Sequence, residues 1–322
     1  MNIGHLFKLI QALTFAVLEY YSEHILGRID GDGKKQLLIA LAGVHGNEPA
    51  GIEATKRVLK VLENSDKPFY GSFLAIAGNL KALKENKRYI KTDLNRIWDE
   101  QNIAFAKNGL DPNLYPEHKT LREILSIIES AMAEGYDEVA VIDLHTTSAE
   151  GGVFIICPND EIHRKMIERL PVPAILNLSE DLKGTAIQYF WERGYTAFAF
   201  EGGSHKEAES VDKMESAIWL CLKQLQSLPH EDDDIVNYHD HRLTRSTEGL
   251  PRYCQLIYHH FIRKGDEFKM VEGFGNFHPV EKGQVLAHDQ SGPILCPDDG
   301  FILMPLYQDQ GSDGFFIINQ AH

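Results

Sequence analysis

The sequence predicts an α/β protein: a mixed, largely parallel sheet flanked by helices, followed by a smaller C-terminal β domain. Two observations lead there. Through the first part of the chain, short apolar runs that read as buried strands alternate with stretches of helical periodicity. Beyond about residue 240 the helical pattern fades, and short apolar runs are punctuated by Gly265-Asp266, Gly283, Gly292-Pro293 and Pro297-Asp298-Asp299-Gly300. The expected domains are residues 1–238 and 239–322.

Taken in order, His5 to Leu26 is rich in Leu, Phe and Tyr but interrupted by Lys8, Gln11, Glu19 and Glu23. It lacks the basic start and unbroken apolar core of a signal peptide and is too polar to span a bilayer. A packing helix before the core is expected, and with it a cytoplasmic location. Gly31-Asp32-Gly33 signals a turn, and Gln36 to Val44 reads as a strand. Pro49 to Leu62 follows as a helix with proline near its first turn. Phe73 to Ala77 is the next strand, and residues 80–115 look irregular with short helices. Leu121 to Ala133 has helical periodicity, and Val139 to Ile142 is a strand. Val153 to Cys157 and Ala197 to Phe200 are further apolar runs, and Val211 to Leu228 is a long helix. The acidic run Pro229-His230-Glu231-Asp232-Asp233-Asp234 reads as a solvated linker. Gly283-Gln284-Val285-Leu286 and Asp299-Gly300-Phe301-Ile302 resemble hairpins of lipoyl-type domains, but no lysine sits at a hairpin tip to carry a prosthetic group.

Composition narrows the function. The 322 residues are 43% apolar and 25% charged, with a net charge of −15. That balance suits a soluble globular protein and disfavours nucleic acid or anionic membrane as partners, which need basic surfaces. The four cysteines, Cys157, Cys221, Cys254 and Cys296, include no close pair, so neither a cysteine zinc site nor a disulfide framework is expected.

The chemistry sits at strand ends. The apolar run ending at Ala42 leads into Gly43-Val44-His45-Gly46-Asn47-Glu48, and Val139 to Ile142 leads into Asp143-Leu144-His145. In open α/β sheets, sites form at the carboxyl ends of strands. His45, Glu48 and His145 make the ligand set of a catalytic zinc site, one Zn²⁺ per chain, with a position left for water. Asp143 either orients a ligand imidazole through its other nitrogen or caps the strand-end turn. Glu201 ends the run Ala197-Phe198-Ala199-Phe200 beside Gly202 and Gly203, and it is the best candidate for a general base. Arg88, Asn95 and Arg96 share a polar stretch; arginine grips carboxylates with two parallel N–H bonds or polarises a carbonyl as charge develops on its oxygen.

Taken together, Gly43-Val44-His45-Gly46-Asn47-Glu48, Arg88 with Asp93-Leu94-Asn95-Arg96, and Asp143-Leu144-His145 resemble the succinylglutamate desuccinylase/aspartoacylase family, a branch of the zinc carboxypeptidase-like hydrolases. Order and spacing match over roughly residues 38–204. The resemblance implies zinc-dependent hydrolysis of an N-acyl amino acid. It implies His45, Glu48 and His145 as metal ligands, Glu201 as general base and later proton donor, and Arg88 beside the scissile carbonyl. Asn95 and Arg96 would bind a substrate carboxylate. The sequence departs from the family after Glu201, where Gly202-Gly203-Ser204-His205 replaces Val-Gly-Pro or Leu-Gly. The substrate-gripping Tyr and Arg that precede this Glu in aspartoacylases have no counterpart between Asn177 and Tyr195. Met304-Pro305-Leu306-Tyr307-Gln308 matches neither group, and Tyr307 reads as a core tyrosine in preference to a pocket one.

The expected activity is hydrolysis of a small, carboxylate-bearing amide. A metallocarboxypeptidase and a non-catalytic metal- or metabolite-binding protein are the alternatives, and homo-oligomerisation stays open. A C-terminal domain that occludes the site would exclude long peptides.

Overall fold

The computed structural model describes residues 22–109, 113–178, 182–230 and 233–321. The expected N-terminal packing helix lies outside them up to Tyr21, and its last two residues, Ile25 and Leu26, instead open a strand. The strands are β1 (Ile25–Asp30), β2 (Asp32–Ala42), β3 (Tyr70–Ala77), β4 (Glu138–Thr147), β5 (Phe154–Cys157), β6 (Ala174–Leu176) and β7 (Thr196–Ser204), then β8 (Tyr253–Phe261), β9 (Lys269–Met270), β10 (His278–Val280), β11 (Val285–Asp289), β12 (Gly292–Leu295), β13 (Gly300–Leu303) and β14 (Asp313–Gln320). The helices are α1 (Ala50–Glu63), α2 (Leu80–Glu85), α3 (Glu100–Asn108), α4 (Pro116–Met132), α5 (Glu161–Ile167), α6 (Ala186–Trp191), α7 (Glu209–Gln224) and α8 (Asp233–Ser246).

Eleven strands form one mixed sheet in the order β1-β3-β2-β4-β7-β5-β6-β8-β14-β13-β10, and β12-β11-β9 make a second, small antiparallel sheet. The centre, β3-β2-β4-β7, is parallel. Its strands are apolar on both sides because both faces are covered, as parallel sheets require. In β2, Leu37, Ile39 and Leu41 point to one side and share a core with Leu121, Ile124, Leu125 and Ile128 of α4. Leu38, Ala40 and Ala42 point to the other and share a core with Ala54 and Val58 of α1 and Met214, Ala217 and Ile218 of α7. The antiparallel C-terminal strands enter through β8, which pairs in parallel with β6. The sheet thus runs on past residue 238, with a third apolar cluster that includes Leu286, Ile302, Phe315 and Ile317. The expected α/β class with its smaller C-terminal β region is what the chain adopts.

Two local expectations fail. Helix α8 occupies residues where the helical pattern was expected to fade and where the acidic linker was expected to continue; Glu231 and Asp232 lie outside the described residues. Its buried face is Val236, His239 and Leu243, correctly spaced for a helix but with a histidine in the apolar stripe. The His239 ring stacks on Trp219 at 5.9 Å, and its Nδ1 lies 2.9 Å from Ser216 Oγ, so burial is satisfied without an apolar side chain. The short elements β1, α5, α6 and β6 were not anticipated; each is too brief to carry a period. No helix among the described residues is long and apolar enough to cross a membrane.

The turn after β2 positions the site, and two glycines make it possible. Gly43 has φ 66°, a left-handed conformation that favours glycine. At Gly46 a Cβ would lie 2.0 Å from the carbonyl carbon of Ala82, so the turn presses directly on the backbone of α2. We expect Gly46→Ala to cost about 2 kcal/mol or more, measured by urea denaturation, because backbone rather than a pliable side chain blocks the methyl. A loss below about 0.5 kcal/mol, the scale of an ordinary surface change, would show that the turn relaxes freely.

Candidate active site

Adjacent parallel strands bring the site together. Leu41 of β2 pairs with Asp143 of β4, and His145 pairs with Glu201 of β7. Residues distant in sequence therefore meet at one end of the sheet. His45, Glu48 and His145 are all buried, and a ligand atom from each lies within 4.8 Å of the others.

Glu48 is the hub. Its Oε1 lies 2.9 Å from His45 Nδ1 and its Oε2 lies 3.1 Å from His145 Nδ1. The Thr146 amide donates to Oε2 at 2.9 Å. Burial acts to raise the Glu48 pKa, yet His45 and His145 hold the carboxyl well below the usual carboxylate range. The far sides of both rings also face carboxylates. His45 Nε2 lies 3.0 Å from Asp93 Oδ1, and His145 Nε2 lies 2.9 Å from Asp143 Oδ2. The latter is a close ion-pair contact, since neither Asp143 oxygen makes an aligned hydrogen bond among the described residues. Two imidazoles and a carboxylate, with a further carboxylate behind each ring, have the donor chemistry of a zinc or similar divalent site.

Glu201 differs from Glu48 in having almost no support. It is buried, and its Oε2 has no hydrogen-bond partner among the described residues. Burial pushes its pKa up to about 8; Glu48 and Asp143 push the same way, against His145 and Arg88. A nearby cation would lower it. Around it Arg88, Asn95, Arg96, Thr146 and Gln308 line a cavity of about 100 Å³.

Arg88 reaches Asp93 Oδ2 through Nε at 3.1 Å and Nη2 at 3.0 Å, and its Nη1 lies 3.6 Å from Glu48 Oε1. Asn95 turns its Nδ2 toward His145 Nε2 at 3.3 Å and accepts the Ala186 amide on Oδ1 at 2.9 Å. Arg96, expected to receive a substrate carboxylate, donates to Asp313 Oδ2 at 2.6 Å. The loop carrying Arg88 and Asp93 is anchored by Glu117, fully buried, which accepts the Ile90 and Lys91 amides on Oε1 at 2.7 and 3.2 Å.

Several participants escaped sequence reasoning. Asp93 lay inside a recognised motif, but its position against His45 had no local signal. His205, whose Nδ1 lies 2.7 Å from Thr146 Oγ1, is the last residue of the departing stretch after Glu201. Gln308 accepts from Asn47 Nδ2 at 2.8 Å and lines the cavity from the C-terminal region. Its neighbour Tyr307 does not: its hydroxyl donates to the Val271 carbonyl at 2.8 Å and accepts the Phe274 amide at 3.0 Å, a structural role.

The sequence pattern of the succinylglutamate desuccinylase/aspartoacylase catalytic domain matches residues 33–217. A probable aspartoacylase of Nostoc sp. is 32% identical over 283 residues, 84% of this chain and 90% of that one. A succinylglutamate desuccinylase of Serratia proteamaculans is 33% identical over 90 residues, a stretch that spans only 28% of either chain. The fold is also that of the succinylglutamate desuccinylase of Chromobacterium violaceum, with a TM-score of 0.62 at 19% identity over 92% of this chain and 88% of that one. The chain belongs to the succinylglutamate desuccinylase/aspartoacylase family.

Proposed function

We propose that the protein is a zinc-dependent hydrolase that cleaves the amide bond of a small N-acylated amino acid or a similar small amide. One observation carries the reading: a buried His-Glu-His cluster stands beside a buried carboxylate, Glu201, that has a free oxygen. An unpartnered buried carboxylate is costly and is kept where a proton has to be moved. The names of the relatives, desuccinylase and aspartoacylase, fit the same chemistry.

His45, Glu48 and His145 would hold the metal. A bound zinc ion supplies Lewis-acid polarisation of the amide carbonyl and makes water easier to deprotonate. Glu201 takes the proton of the attacking water on its free Oε2 and later gives it to the nitrogen of the leaving amine. The Arg88 guanidinium, held by Asp93, supplies donors to the carbonyl oxygen as negative charge grows on it. Asn95 steadies the His145 ring, and with Arg96 it contributes N–H donors to the wall facing the substrate. Met304, Leu306, Gln308, Asp313 and Phe316 line the cavity from the C-terminal region. That closure favours a small amide over the chain end of a long peptide, which a carboxypeptidase would have to admit.

Three outcomes are expected. Zinc-loaded protein releases amine from members of a panel of N-acyl amino acids, and chelation abolishes the release; cleavage of peptides alone would replace this reading with the carboxypeptidase one. His45→Ala or His145→Ala loses bound zinc, read by metal analysis of the purified protein, and full retention would remove the ligand assignment. Glu201→Gln keeps the metal but lowers kcat by about 10²-fold or more, the scale of lost general acid–base catalysis. Near-normal turnover in that variant would take Glu201 out of the mechanism.

A further inference from the structure

A hydrogen-bonded cluster at the cavity has no part in the proposed reaction. Its members are Asn47 on the turn after β2, Thr146 on β4, His205 just after β7 and Gln308 between β13 and β14. His205 stands at the centre. Its amide donates to the Thr147 carbonyl at 2.9 Å, which ties its backbone to β4. Its ring meets Thr146 Oγ1 through Nδ1 at 2.7 Å and Gln308 Oε1 through Nε2 at 3.3 Å. Asn47 Nδ2 donates to the same Gln308 oxygen at 2.8 Å and lies 3.5 Å from His205 Nε2, so the two nitrogens flank one acceptor. The main chain beside Gln308 is fixed as well, since the Tyr307 amide donates to Ser148 Oγ at 3.0 Å.

The proton positions follow from these partners. The Gln308 oxygen can only accept, so the ring nitrogen facing it carries a hydrogen. Burial lowers the His205 pKa, which keeps the ring neutral and leaves Nδ1 without a proton. That nitrogen then accepts the Thr146 hydroxyl. With Gln308 Oε1 engaged by both Asn47 and His205, the amide cannot flip without setting donor against donor. Gln308 lines the cavity, and no group among the described residues takes its Nε2 hydrogens.

We propose that His205 is a positioning residue: together with Asn47 it holds the oxygen of Gln308, so that the Gln308 Nε2 hydrogens are offered to an acceptor oxygen of the substrate. The inference rests on the hydrolase reading for its kinetic consequence only. It adds one demand on the substrate, an oxygen that accepts a hydrogen bond from Gln308. An ammonium or other pure donor at that place would meet no acceptor on this side chain.

The first readout is the His205 tautomer in the intact zinc-loaded protein, from long-range proton–nitrogen NMR correlations of the histidine rings, assigned by the signal lost in His205→Gln. A neutral ring protonated at Nε2 is expected. Protonation at Nδ1 would turn the Gln308 oxygen toward the cavity and overturn the proposal, whatever the protein cleaves. Kinetics give the second readout, on the best substrate of the N-acyl amino acid panel. Gln308→Leu should raise KM by about three- to tenfold, the scale of one neutral hydrogen bond, and lower kcat less. His205→Leu should do the same, and the double variant should be no worse than Gln308→Leu alone, because both remove one contact. His205→Gln keeps an N–H donor for Gln308 and should recover most of the loss. Additive losses, or an unchanged KM in Gln308→Leu, would overturn the proposal. Thermal melting checks each variant; where a leucine variant fails to fold, Gln308→Glu removes the donors while keeping an oxygen for Asn47 and His205, and it should raise KM likewise. If no compound of the panel is cleaved, the hydrolase reading fails, while the tautomer still decides how Gln308 is held.

Discussion

A carboxylate removed from water must be paired, and the buried charge of Glu48 is the constraint around which the site is organised. At 2% exposure it has no recourse to solvent, so its partners must come from the protein. His45 comes from its own turn, while His145 and the Thr146 amide come from the neighbouring strand β4. Only a parallel β2-β4 pairing puts both suppliers at the same end of the sheet. Removing one partner from such a buried ionised group typically costs about 3–5 kcal/mol. The pairing of strands and the assembly of the cluster are thus one event: a register shift that broke the site would also strand a charge in the core.

Two carboxylates in one cavity are pushed in opposite directions, and the cause is visible in their partners. Glu48 receives two imidazoles and an amide and is held ionised. Glu201, directly across from His145 in the β4-β7 register, keeps a free oxygen and is pushed up to about 8. Environments that separate two acids in this way divide roles between them, one as a fixed negative charge and one as a proton carrier. What differs between the two glutamates is donor supply, not depth, since both are buried.

The site residues were legible in the sequence because a buried parallel strand announces itself as an apolar run, and the polar residues that follow the run stand out. His45, Glu48, His145 and Glu201 all follow that rule. The groups that were not legible are those whose role depends on register or on distant pairing. Asp93 faces His45 across a loop anchored by Glu117, and nothing local marks either contact. Asp313 meets Arg96 from 217 positions away, through a strand whose place in the sheet depends on β8 entering beside β6. Helix α8 was hidden for another reason: its buried stripe includes His239, whose partners Trp219 and Ser216 lie on α7. Periodicity scores side chains by type and cannot see a polar one made comfortable by a neighbour.

The division between what was legible and what was not follows a division of labour in the molecule. The groups proposed to hold a metal and to move protons stand on the central parallel strands, or on turns that leave them, where two apolar layers fix the backbone. The opposing wall, with Gln308, Asp313 and Phe316, comes from antiparallel C-terminal strands and the loop between them. Changes to that wall leave the β2-β4-β7 register intact, so it can alter what enters the cavity without disturbing Glu48 or Glu201. An ion pair, Arg96 to Asp313, spans the two regions and ties the C-terminal wall to the loop that carries Arg88 and Asp93.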